Sequence, residues 1–414
     1  MSGTVDFARI VRQGDLVLCG QGCAEPTTLL EMLVAQGDGI GPFRLFLGAS
    51  FSGTVKADTL PGSRILTYGA IGTGELSRAG RLEVCPDHYS MIGQRLADGR
   101  MRADVVLLQV APPDSEGRFS LGMGPDFAME AARHAREVVL EVNAQVPRSL
   151  GTYLPDDLPI TAMIHTDRCP VEPPPTGAPN ETMQRIARHV AGLVADGATI
   201  EIGVGSIADA ILETLRDHRD LGIHSGMLSD SMVDLIERGV VTNARKPIDT
   251  GKSVATICNG SRRTRDFVHE NPAVALLPTT YTHNPAVLHG LGNLHAINFA
   301  IELDVTGQVN AEALAGSYVG AIGGHSDFSR AAHRLAGGRA IVALAATGAK
   351  GAVSRIVPAL AGPVSTARSD VDFVVTEWGV AELSGRTLRE RMQAMIAIAH
   401  PDHREHLARA SGDN

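Results

Sequence analysis

Residues Ala198-Thr-Ile-Glu-Ile202 run into Gly203-Val-Gly-Ser206 and then into Ile207-Ala-Asp-Ala-Ile-Leu-Glu-Thr-Leu-Arg216. This reads as a short apolar strand, a tight glycine turn and a helix, the repeating unit of a parallel sheet. The same theme occurs upstream. Leu16-Val-Leu-Cys19 precedes a glycine turn and a helix from Thr27 to Gln36. Arg44 to Gly48, Ile65 to Tyr68, Val105 to Gln109 and Val138 to Val142 are further strands, with a helix from Phe127 to His134 before the last. Downstream, a helix from Glu181 to Val194 leads into the quoted strand. Strands at Ala296 to Val305, Arg339 to Ala345 and Asp372 to Val375 follow, with a helix from Phe328 to Leu335. Continuous apolar strands alternating with helices predict an α/β fold whose mostly parallel sheets are covered on both faces.

The pattern lapses once. Between Leu154 and Thr182 stand Pro155, Pro159, Pro170, Pro173, Pro174, Pro175 and Pro179, which exclude a helix or a central strand. A domain boundary is expected there, giving an amino-terminal α/β domain over 1–180 and a carboxy-terminal one over 181–414.

Composition narrows the function. The 414 residues are 44% hydrophobic and 20% charged, enough apolar matter for two buried cores and too much for a disordered chain. A net charge of −9 and an aromatic content of 4% argue against nucleic acid as a partner. The only lysines are Lys56, Lys246, Lys252 and Lys350. No apolar run is long enough to span a membrane, and Met1 to Gln13 has no apolar signal core, so a cytoplasmic protein is expected. Cys19, Cys23, Cys85, Cys169 and Cys258 are read as reduced, buried thiols, without the spacing of a zinc site.

Three stretches are candidates for chemistry. Gly203 and Gly205 let backbone amides approach a ligand at a helix amino terminus, or simply make a tight turn. Period-two alternation within Ala296 to Val305 sets Asn298 and Glu302 on one face, opposite Ile297, Phe299, Ile301, Leu303 and Val305. A glutamate there is either a nucleophile in a partly dry pocket, with its pKa raised by desolvation, or an edge acid facing water. The loop Gly316 to Phe328, with Gly320, Ile322, Gly323 and Gly324, offers amides to an oxyanion or an extended ligand, or is a flexible connection. The histidines form no HExxH cluster, so no metal is expected, and a G-x-S-x-G elbow is missing.

Read together, these stretches resemble the acetyl-CoA hydrolase/transferase family, and especially its members similar to 4-hydroxybutyrate CoA-transferase. The resemblance runs through nearly the whole chain. It includes Gly20-Gln-Gly-Cys-Ala-Glu-Pro26, Gln109 to Asp114, Glu141-Val-Asn-Ala-Gln-Val-Pro-Arg148 and Ile202-Gly-Val-Gly-Ser-Ile207. It continues through Leu221-Gly-Ile-His224, Asp266 to Pro272, Glu302-Leu-Asp-Val-Thr-Gly-Gln-Val-Asn310, Ser354 to Pro358, Val374 to Ala381 and Ile398 to Pro401. It implies two open α/β domains of the CoA-transferase type with the active site in the cleft between them, and a homodimer. It implies coenzyme A, as acyl-CoA, for a substrate and a small carboxylate for the other. It also implies Glu302 as the nucleophile, through a glutamyl-CoA thioester. Gly379 joins the glycine loop as an oxyanion or CoA contact, and Gln21, Asn143 and Asn298 are assigned to the substrate pocket. Within the match, Gly226 stands where the family commonly has glutamate after His224, Ala321 replaces a loop glycine, Ala144 a proline, and Trp378 a tyrosine or glutamine. An acyl-CoA hydrolase using the same glutamate, a non-catalytic CoA-binding protein and a sugar-phosphate isomerase are the alternatives. The last lacks a visible phosphate clamp at Gly203 to Ser206.

Overall fold

The structure is a computed structural model that describes residues 3–348 and 351–410, so Lys350 lies outside the described residues. Two large sheets carry the molecule. The first contains β1 (Leu16–Cys19), β2 (Arg44–Phe46), β3 (Arg64–Thr67), β4 (Leu82–Val84), β5 (Val105–Val110), β6 (Glu137–Asn143) and β7 (Ile160–Thr166). Their order is β4-β3-β2-β1-β5-β6-β7, and every pairing is parallel. Strands β1 and β5 are buried at every residue, as strands covered on both faces must be.

The second sheet contains β8 (Thr199–Ile202), β9 (Gly222–Leu228), β10 (Ser253–Cys258), β11 (Val274–Leu276) and β12 (Leu294–Phe299). Strands Arg339–Ala343, Phe373–Thr376 and Gly379–Glu382 complete it. The order runs β11-β10-β9-β8-β12 and on through these three, with only the outermost pair antiparallel. The α/β class and the mostly parallel sheets thus agree with the sequence pattern.

Two differences have physical causes. The proline-rich stretch contains β7, which pairs with β6 as an edge strand. Its seven residues carry no proline, since Pro159 and Pro170 only flank it, and an edge asks for one ladder rather than two. The predicted strand from Ala296 to Val305 is two strands. β12 ends at Phe299, and the chain then leaves the large sheet to form β13 (Glu302–Asp304), which belongs to a three-stranded sheet. Period-two counting fails across that change of sheet, so Asn298 and Glu302 do not share one strand face. The cysteines also divide: Cys19, Cys23 and Cys258 are buried, whereas Cys85 and Cys169 are exposed.

Each sheet has one place where the winding reverses direction, between β1 and β5 in the first and between β8 and β12 in the second. The crevice beyond the strand carboxyl ends at such a place is where open α/β sheets bind ligands. Here the carboxyl ends of the two sheets face a common space. Direct contacts hold them there: Ala70 N donates to Gly320 O at 2.9 Å, Tyr89 N to Gly323 O at 3.0 Å and Cys258 N to Met123 O at 2.7 Å.

Candidate active site

A cavity of about 500 Å³ occupies that space. From the first sheet it takes Gln21 beyond β1, Phe51 beyond β2 and Tyr68 and Ile71 beyond β3. From the second it takes Glu201 to Val204, Gly226 and Met227, Ile257, and Asn298 to Ile301. The loop Val319 to Gly324 and the first turn of the helix His325–Arg334 close one side. The wall is therefore mostly aliphatic and aromatic. Its one carboxylate among the described lining residues is Glu201, and no lysine or arginine is among them.

Glu201 owes its position to the register. β8 and β12 are parallel, with Glu201 opposite Ala296 and Ile202 opposite Ile297, so Asn298 lies just beyond on the neighbouring strand. Asn298 Nδ2 donates to Glu201 Oε2 at 2.7 Å. Only 5% of Glu201 is exposed. Burial dominates its ionisation and pushes its carboxyl up to about 8, against the smaller opposing effect of the Asn298 hydrogen bond. Gly203 follows directly, and a Cβ there would stand 3.1 Å from the Phe299 ring, so glycine lets the two strand ends close on each other.

Two imidazoles share the cavity. Burial lowers His283 to about 3 and His325 to about 4, so both stay neutral at neutral pH. His283 Nδ1 lies 2.8 Å from the Thr282 hydroxyl, and its Nε2 edge packs against Gly324, where a Cβ would come within 2.6 Å. On the opposite wall, Gln21 Oε1 accepts from Ala49 N and from the Tyr68 hydroxyl, each at 2.8 Å. Gln21 Nε2 donates to Asp126, which also accepts from the Tyr89 hydroxyl. Asp126, held at φ 49°, is pushed up to about 7 by burial.

The sequence candidates scatter against this frame. Gln21, Gly203, Asn298, Gly320, Ile322, Gly323 and Gly324 line the cavity. Gly205, at φ 116°, caps the helix Ser206–Thr214 just behind it. Asn143 is buried elsewhere, donating to Gln109 Oε1 and Arg168 O at 2.9 and 2.8 Å. Gly379 pairs with Thr376 in the terminal hairpin and packs toward Ile398. Glu302 is half-buried on β13, and burial raises its carboxyl. Its neighbours Ala300 and Ile301 reach the cavity, and Glu302 is not among the lining residues. Glu201 was passed over because it sits inside an apolar strand. The signal was the glycine turn directly after it, which marks a strand end in a parallel sheet.

Sequence comparison gives the family. The acetyl-CoA hydrolase/transferase N-terminal domain profile matches residues 3–167 and the C-terminal domain profile matches residues 260–411. A 4-hydroxybutyrate coenzyme A transferase of Clostridium kluyveri is 36% identical over 400 residues, covering 94% of this chain and 92% of the relative. The chain belongs to the acetyl-CoA hydrolase/transferase family. It is an enzyme of the CoA-transferase kind. A succinyl-CoA:cyclohexane-1-carboxylate CoA transferase of Geobacter metallireducens is 34% identical, over 98% of this chain and 94% of the relative. The crystal structure of RipA from Yersinia pestis superposes with a TM-score of 0.90 at 32% identity, covering 97% of this chain and 94% of that one. No helix among the described residues is long and apolar enough to cross a membrane.

Proposed function

We propose that this member of the family moves CoA from an acyl-CoA to a small carboxylate through a glutamyl-CoA thioester on the protein, with the cavity between the sheets as the reaction chamber. The cavity itself carries the reading. It joins the reversal points of both sheets, has apolar walls, and holds a carboxyl kept from water.

A glutamate carboxylate attacks the thioester carbonyl, and the carbon–sulfur bond breaks, leaving a mixed anhydride and CoA thiolate. The thiolate then attacks the glutamyl carbonyl and expels the first acid as its carboxylate. A second carboxylate reverses both steps and leaves as the new acyl-CoA. The loop at Gly320 to Gly324 supplies backbone dipoles to the oxyanions, and the dry walls protect the anhydride from hydrolysis. Two glutamates are available for the first attack: Glu302, on which the family resemblance sets it, and Glu201, which the cavity encloses.

The test mixes butanoyl-CoA with acetate and follows acetyl-CoA by chromatography. Ping-pong kinetics and acceptor-dependent acetyl-CoA are expected. Release of butanoate and free CoA at a rate indifferent to acetate would replace transfer with hydrolysis.

A further inference from the structure

We propose that a corner of the second sheet, built on Trp378, binds a phosphate-bearing anion. The corner lies outside the cavity wall and does not depend on the transfer reading.

Trp378 sits in the turn between the strands Phe373–Thr376 and Gly379–Glu382, where its backbone N–H donates to Thr376 Oγ1 at 3.1 Å. Two arginines reach it from helices on opposite faces of the sheet. Arg185 belongs to the helix Glu181–Ala191, whose Ile186 and Val190 share a core with Val375. Arg404 belongs to the helix Pro401–Ala410, whose Leu407 shares a different core with Val374. Val374 and Val375 are successive strand residues and so point to opposite faces. Both guanidinium carbons lie over the indole, 5.2 Å and 5.9 Å from its centroid. The His400 ring stands perpendicular to the indole at 5.2 Å, and His403 follows at 5.9 Å from His400.

This arrangement calls for an anion. Among the described residues neither Arg185 nor Arg404 is paired with a carboxylate, and two like charges held on one ring repel each other until an anion joins them. Trp378 Nε1 is buried without a hydrogen-bond acceptor, although a buried indole N–H normally finds one. The neighbouring acids do not fill the gap. Glu377 accepts from Ala346 N at 2.9 Å, and the exposed Asp402 lies 3.6 Å from His400 Nδ1. Two guanidinium forks beside an indole N–H and imidazoles suit the several oxygens of a phosphate group. Strands β8, β12, Arg339–Ala343 and Phe373–Thr376 run parallel, so Trp378 shares the sheet edge of the cavity, two strands or about 10 Å from β12. No lysine or arginine is among the described cavity-lining residues, so the phosphates of a CoA seated there need cations outside it. The phosphate end of CoA and free phosphate present the same chemistry to this corner.

Trp378 is the only tryptophan of the chain, so its fluorescence reads this corner alone. The full-length protein is titrated with sodium phosphate and, separately, with CoA, each against chloride at matched ionic strength. A saturable phosphate response is expected, weakened at least about tenfold in Arg185→Gln and in Arg404→Gln while their melting curves stay cooperative. Where a glutamine variant does not fold, the lysine variant at that position keeps the charge, loses the fork and is held to the same criterion. CoA that displaces phosphate at a lower concentration identifies the nucleotide end of CoA as the occupant, whereas a phosphate response indifferent to CoA identifies free phosphate. No response beyond matched chloride to either anion, or a smaller loss in either arginine variant, overturns the site. None of these readouts involves turnover, so failure here leaves the transfer reading untouched.

Discussion

At the residue scale, Glu201 lies on the line between stability and chemistry. Its carboxyl binds a proton more tightly folded than unfolded, since burial lifts it from the ordinary 4.5 to about 8. Between those values the folded chain holds a proton that the unfolded chain has released. Stability therefore falls as pH rises through that window and levels off above about 8, by an amount on the order of a few kcal/mol. Glu201→Gln removes the burden. Its urea midpoint relative to the parent should be higher at pH 9 than at pH 5. Equal differences at the two pH values would mean that Glu201 ionises like a solvated acid. None of this could be read from the sequence, because a glutamate between Ile200 and Ile202 is the same letter whether it is enclosed or solvated. Desolvation is a property of what the fold brings against it.

At the element scale, the site depends on two parallel strands from distant parts of the chain ending side by side. β8 brings Glu201 and β12 brings Asn298, joined at 2.7 Å. Asn298 holds one carboxyl oxygen of Glu201. Its loss leaves a buried carboxyl without its one hydrogen bond, which costs about 1–3 kcal/mol. Because that bond lowers the Glu201 pKa, Asn298→Ala should also move the pH dependence of stability that Glu201 carries toward higher pH. A stability loss with an unmoved pH profile would reduce Asn298 to a packing role. Much of this level was legible. β1 spans Leu16–Cys19 as read, and β8 differs from the reading by one residue. Of strands β1 to β13, the reading lacks β4, β7 and β9 to β11, and they have more than one cause. β9 contains His224-Ser-Gly226 and so lacks an apolar run, yet it is held by pairing with β8 and β10 on either side. Tertiary pairing overrides local propensity there, and the same override ends β12 at Phe299, where the apolar pattern alone would have continued.

At the scale of the whole molecule, the site exists only while the halves stay in contact. Gly69, just past β3, forms an antiparallel bridge with Ala321 of the second half. A Cβ on Gly69 would stand 2.3 Å from Ala321 Cβ and 2.6 Å from Gly320 O, neither of which can swing aside. Gly69→Ala should cost about 1–3 kcal/mol and displace the glycine loop from the cavity. Loss of transfer together with a lower melting temperature checks it. Full activity would show that the bridge is dispensable. The chain's acidic balance, a net charge of −9, explains nothing about this contact. It bears instead on what the cavity accepts. Among the described lining residues there is no lysine or arginine, and the two imidazoles are neutral. An acyl group ending in a second carboxylate would be buried there without a cation, which is unfavourable by several kcal/mol unless it stays protonated. An aliphatic acyl group meets Ile71, Ile257, Phe299 and Ile301 and gains from their contact. The chain should therefore prefer butanoyl-CoA to succinyl-CoA by at least about tenfold in kcat/KM, a difference of about 1.4 kcal/mol. Competition between the two donors for one acceptor measures this ratio directly. Parity would place the acyl group outside this cavity, because none of the described lining residues offers a cation to the second charge.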